Sequence, residues 1–269
     1  MRLHIRHETF YSYEETVAYS VQRLYLTPQS HSSQSILEWR ISAPGIDNAL
    51  TYKDGFGNQV HLVTFQNTQG PISIVAEGLA DVTDSAGVIK NLRCPAPDAV
   101  FLRQTQATRP SEAISAMAAR IDSTGRSRLD KLHALMNEIQ GAVTYQIGAT
   151  GADTTAAQAF AAGQGVCQDH AHIFVGAARQ WGIPARYVTG YLALQDFETA
   201  TASHAWAEAL VPDLGWVGFD PANGTCPTER YVRVAGGIDA NGITPIRGSR
   251  KGGSAEHMRV EVNVGIAQQ

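Results

Sequence analysis

The stretch GQGVCQDHAHIFVGAARQWGIP, Gly163 to Pro184, carries both ends of one helix and a cysteine at its start. Glycines precede Cys167, apolar residues fill the interior, and Gly182 followed by Pro184 is a stop signal, so a helix is expected from about Cys167 to Gly182. A side chain in the first turn faces unpaired backbone N–H groups and the positive end of the helix dipole. Both stabilise an anion, and a thiolate is one. The same turn offers an N–H to a developing oxyanion.

A thiol nucleophile needs a base, and nine histidines are available. At ~100° per residue, His170 and His172 lie about 300° and 500° round the helix from Cys167. They point away from one another, and a base on the nucleophile's own turn cannot swing between thiol and leaving group. His204 is better placed. It opens the strand His204–Val211, which a Pro212-Asp213-Leu214-Gly215 turn returns as Trp216-Val217-Gly218-Phe219-Asp220. In an antiparallel hairpin the start of one strand lies beside the end of the next, so His204 and Asp220 become neighbours, an imidazole and the carboxylate that orients it. Trp206 and Trp216 are expected to pack the hairpin, and Asp169 and Glu208 to make caps or local salt bridges.

Outward from this centre the periodicity divides the chain. Residues 1–92 alternate with period 2: Leu3, Ile5, His7, Thr9, Tyr11 and Tyr13 share one face, Leu37, Trp39 and Ile41 repeat the pattern, and Asp54-Gly55, Gly57-Asn58 and Gly70-Pro71 mark turns. An all-β module is expected there, followed by a linker over 93–110 that contains Pro95, Pro97 and Pro110. Within 111–269 two helices read from Ala113-Ile114-Met117-Ile121 and Leu129-Leu132-Leu135-Met136-Ile139, and a short third opens with the capping box Thr155-x-x-Gln158 and stops near Gly163. Strands return after Pro184, ending with Val260, Val262 and Val264. The class is α+β.

With 43% hydrophobic and 17% charged residues and a net charge of −4, the chain has the composition of a globular protein without a polyanionic partner. The basic run Arg247 to Lys251 reads as a solvated loop. Charge interrupts the first residues as it does not in a secretory signal, and no segment approaches the ~20 apolar residues of a membrane span. Three cysteines, Cys94, Cys167 and Cys226, are an odd number for a disulfide scaffold, so a cytoplasmic setting is expected, with Cys94 and Cys226 dispensable for chemistry.

The segments Gly165-Val166-Cys167-Gln168-Asp169-His170-Ala171-His172, Ile183 to Tyr191, Ser203-His204-Ala205-Trp206 and Gly215 to Pro221 resemble, in order, the core motifs of bacterial transglutaminase-like proteins. The strand-rich first residues resemble the β-module that precedes this core in one bacterial branch. The resemblance implies a papain-like core with Cys167 as nucleophile, His204 as base and then acid, and Asp220 as orienting carboxylate. It also implies an oxyanion donor upstream of the nucleophile, for which Tyr145 and Gln146 are candidates. No cofactor or metal is expected: Cys167, His170, His172 and His204 are zinc-binding residue types, but Cys-x-x-His-x-His does not converge on a helix. The expected substrate is a peptide or protein amide. Hydrolysis is preferred to amine transfer, because water is always present and no acidic amine-binding patch is visible. A non-catalytic module on the same fold is the other alternative, disfavoured because all three triad residue types are retained.

Overall fold

The alternating N-terminal segments fold as long antiparallel strands: β1 (Arg2–Ser12), β2 (Val17–Thr27), β3 (Gln34–Ser42), β4 (Leu50–Lys53), β5 (Gln59–Thr68) and β6 (Ile72–Val82). They belong to a computed structural model that describes residues 1–194 and 203–267. In β1 every second residue is buried, Leu3, Ile5, His7, Thr9 and Tyr11. The two polar members of that face are satisfied together, His7 Nε2 lying 3.2 Å from Thr9 Oγ1. The remaining strands are β7 (Val88–Ile89), β8 (Thr144–Tyr145), β9 (Gln164–Gly165), β10 (Ala185–Leu192), β11 (His204–Val211), β12 (Gly215–Phe219), β13 (Tyr231–Gly237), β14 (Ile246–Gly252) and β15 (His257–Ile266).

Two four-stranded sheets, ordered β15-β1-β6-β3 and β14-β2-β5-β4, make up the β-module. They share a core of Tyr11, Val17, Leu24, Leu26, Val63, Phe65, Ile72 and Ile74. Sequence order groups β14 and β15 with the helix-containing second part of the chain, but hydrogen bonding groups them with β2 and β1. The alternation of Val260, Val262 and Val264 encodes a strand and its buried face, not the identity of its neighbour. Arg247 to Lys251, expected as a loop, lies inside β14. Its charged, exposed side chains suit an edge strand, which shows no apolar alternation and resists pairing with other chains.

Helices α1 (Glu112–Asp122), α2 (Arg128–Ala142), α3 (Ala156–Ala162) and α4 (Cys167–Gln180) form the second half with a five-stranded sheet, β13-β10-β11-β12-β7. The caps follow the local sequence. Ser111 and Ser127 oxygens accept from the N–H groups of Ile114 and Asp130, and Thr155 and Gln158 close the capping box of α3. Gly163 ends that helix at φ 65, a left-handed conformation that glycine adopts without strain. α4 is buried on nearly every face, with Ile173, Phe174, Val175, Ala177 and Ala178 in the core.

The halves are stitched rather than strung. Val88–Ile89 pairs with β12 of the five-stranded sheet, and residues 93–110 carry a short 3₁₀ turn, Asp98–Leu102, whose Phe101 is fully buried. Arg179 of α4 donates to the carbonyl oxygens of Phe101, Arg103, Ala185 and Ile238. Two buried amides of the β-module then treat edge strand β13 as a sheet neighbour would. Gln34 bonds both the N–H and C=O of Arg233, and Asn58 both those of Gly236. Each edge group met this way would otherwise be an unsatisfied buried polar group.

No described helix is long and apolar enough to cross a membrane.

Candidate active site

Cys167 is the first residue of α4, and three contacts hold its turn in place. The Asp169 carboxylate accepts from Val166 N–H at 2.8 Å and from Thr150 Oγ1 at 2.6 Å. The buried His170 ring spans the carbonyl oxygens of Val166 and Val143, each at 2.9 Å. Short parallel strands β8 and β9 pair Tyr145 with Gly165, and Gln146 N–H donates to Gly165 C=O at 2.8 Å. Asp169 is therefore a cap, as expected. By helix geometry the Cys167 N–H has no intrahelical acceptor.

His204 begins β11, and its Nε2 lies 2.7 Å from Asp220 Oδ2. Cys167 and His204 line the same cleft, and since Nε2 of the ring is taken up by Asp220, Nδ1 is its other nitrogen. Burial by itself would lower the imidazole pKa, but the hydrogen bonds and negative charges of Asp220 and Cys167 outweigh it and raise the value to about 10. Asp220 is fully buried. Burial opposes its ionisation, yet hydrogen bonds led by that of His204 hold its carboxyl below the usual range. Asn223 Nδ2 at 2.7 Å and Tyr231 Oη at 2.9 Å also donate to Oδ2, while the N–H groups of Ala222 and Asn223 donate to Oδ1.

The three residues expected to act together are thus brought together by α4, β11 and the end of β12. Residues 115–221 match the model of the transglutaminase-like superfamily, and residues 3–81 match that of the bacterial transglutaminase-like N-terminal region. The chain belongs to the transglutaminase-like superfamily. This superfamily member is similar to the uncharacterised protein ML0607 of Mycobacterium leprae, at 26% identity over 277 aligned positions and 98% of each chain. It is likewise similar to Rv2569c of Mycobacterium tuberculosis, at 26% identity over 92% of this chain and 87% of that one. Among solved structures, a protein from Cytophaga hutchinsonii named as a candidate cysteine protease superposes with a TM-score of 0.74 at 21% identity. That match covers 97% of this chain and 90% of the other. It shows a shared fold.

Other site residues divide. Tyr145 lines the cleft at Cys167, and burial with the nearby charges of Cys167 and Asp220 pushes its phenol up to about 12. Gln146 is exposed and is not among the residues lining that cleft. Trp206 packs as expected but also stacks on the His204 ring at 6.1 Å. Its bulk reaches β10, where a Cβ on Gly190 would come within 2.6 Å of the indole, so glycine is required there. His172 turns away from Cys167 and its Nε2 accepts from Ala240 N–H at 3.1 Å. Among the described residues no three His, Cys, Asp or Glu side chains are grouped to hold a metal ion.

Glu208 goes beyond a local salt bridge. Fully buried, it pairs with Arg186 of the adjacent strand and with Arg233 at 2.8 Å on β13, two strands away. Two members of the site had no clear sequence signal. Asn223 follows Asp220 by three residues, just beyond the Asx turn that the carboxylate makes with Ala222 N–H, and nothing local marks Tyr231 as a partner of Asp220.

Proposed function

We propose that this protein hydrolyses amide bonds of peptides or proteins through a covalent thioester on Cys167. The observation that carries the reading is that Cys167 and His204 line one cleft while the buried Asp220 carboxylate holds the His204 ring from behind at 2.7 Å. His204, held by the Asp220 carboxylate, takes the proton of the Cys167 thiol as the sulfur attacks. The S–C bond forms at the carbonyl carbon, and the resulting oxyanion is met by the Cys167 N–H and the Tyr145 hydroxyl. Collapse breaks the C–N bond while His204 passes its proton to the leaving amine. Water, deprotonated by His204, then attacks the thioester carbon, releasing a carboxylic acid and restoring the thiol. Asp220 holds the ring orientation throughout. A reducing compartment keeps such a thiol usable, which favours a cytoplasmic setting.

The test is peptide cleavage followed by mass spectrometry in the presence of a chelator, with Cys167→Ala as control. Cleavage that survives chelation and disappears in the variant is expected, together with an acyl adduct on the Cys167 peptide. Loss of activity on chelation, restored by zinc, would refute the reading. Adding a primary amine distinguishes transfer from hydrolysis, and the carboxylic acid should remain the main product.

A further inference from the structure

The cleft beside Cys167 has a volume of 690 Å³, within the about 300–1,000 Å³ of small-ligand sites. One wall comes from α4 and from Tyr187 and Tyr191 of β10. Ala240 and Ile243, with Val262 of β15, line the cleft as well. Because β15 pairs with β1, the β-module builds part of the cavity: Val262 stands opposite His7 in that ladder. The module also holds the Tyr191 wall, since His7 Nδ1 lies 3.0 Å from Tyr191 Oη and Trp39 stacks over the same ring at 6.3 Å. Burial lowers the His7 pKa to about 4, so no charge stands behind this wall at neutral pH.

The charge content of the lining is one-sided. Among the described residues, no Asp, Glu, Lys or Arg lines the cleft, and its basic residue is His204. Against the described lining, a Lys or Arg side chain would lose hydration with no carboxylate to meet it. An apolar one would gain the transfer energy of the surface it buries.

Resting on the reading of Cys167 as nucleophile, we propose that this cleft is a side-chain subsite shared by the two halves of the chain. It selects peptides with a large apolar or aromatic residue beside the scissile amide, and Val262 and Tyr191 set that choice. The β-module is then part of the substrate site rather than a separate attachment. Val262 is the more tractable determinant, since its side chain meets the cavity from a strand that carries no catalytic group.

The experiment is digestion of a mixed peptide library by the full chain, with residues on both sides of each cut counted by mass spectrometry. Apolar and aromatic residues should be enriched at one position within three of the cut, by roughly ten- to a hundredfold over charged ones. Val262→Phe should narrow the cleft and move that preference to smaller side chains. Thr244→Glu, at an exposed position on the rim, should raise cleavage beside Lys and Arg, a gain that unfolding cannot imitate. Cleavage that requires Cys167 but shows no such enrichment, or a preference that both variants leave unchanged, overturns the subsite and leaves the thiol mechanism standing. Absence of any cleavage dependent on Cys167 removes the mechanism itself.

Discussion

Replacing Asp220 by asparagine changes one oxygen to an NH₂ at a position where every neighbour is a donor. Oδ2 receives His204, Asn223 Nδ2 and Tyr231 Oη, and Oδ1 receives two backbone N–H groups. Whichever way the amide is turned, its NH₂ opposes at least two of them. Each buried donor left without an acceptor costs about 1–3 kcal/mol, which the about 5–15 kcal/mol stability of an ordinary domain can absorb. The fold should survive with a lowered melting temperature. The catalytic effect should be larger, because His204 loses both the charge and the hydrogen bond that fix its tautomer. A turnover drop of roughly 10⁴ is expected, with KM little changed. The assay is kcat and KM on a cleaved peptide, with circular dichroism as the folding check. The His204 pKa should also fall from its raised value, so NMR titration of the imidazole offers a readout that a merely structural role would not move. A folded variant retaining turnover within tenfold would show that Asp220 does not orient the base.

Glu208→Gln should lower stability by about 3–5 kcal/mol, because it leaves the buried Arg186 and Arg233 cations unpaired; chemical denaturation measures this. In the native protein burial opposes ionisation of Glu208, but Arg186 and Arg233 bring its pKa from 4.5 down to about 2. A depressed carboxyl contributes stability that is full above about pH 4.5 and fades as pH falls toward 2, and the variant should lose that acid-side slope. Tyr145→Phe should reduce kcat by roughly a hundredfold, as expected for one oxyanion donor, whereas Gln146→Ala should leave kcat within about twofold; steady-state kinetics separates the two candidates. The double variant Cys94→Ser, Cys226→Ser should keep Cys167-dependent cleavage, and a folded but inactive protein would assign the chemistry to another sulfur.

Much of the site was legible because its signals are local. Glycines before Cys167 and the Gly182–Pro184 stop delimit α4. A two-strand hairpin necessarily returns Asp220 to His204, and the Thr155-x-x-Gln158 cap needs only four residues. Oxyanion donors were harder. Both Tyr145 and Gln146 stand upstream of Cys167, and only the folded chain shows that Tyr145 lines the cleft while Gln146 does not. The reading of Glu208 as a local pair was too modest for a similar reason: Arg186 is its neighbour on the next strand, but Arg233 reaches it only because β13 and β11 both flank β10.

By itself, the sequence determined which residues form each helix and most strands, which face of β1 is buried, and which cysteine meets a helix terminus. These follow from side-chain periodicity and from capping and turn chemistry acting over a few residues. The Leu37-Trp39-Ile41 alternation misled, since a register shift between Ile36 and Glu38 leaves Leu37 exposed. Tertiary structure alone decided partners. Periodicity marks Val262 as inward-facing without naming β1 as its neighbour, and charge marks Arg247 to Lys251 as exposed without showing that they lie in an edge strand. Nor does composition show that Gln34 and Asn58 would cap β13, or that the β-module would line part of the cleft beside Cys167. Hydrogen-bonding edges and apolar faces are alike from one strand to another, so partner choice depends on how the whole chain packs.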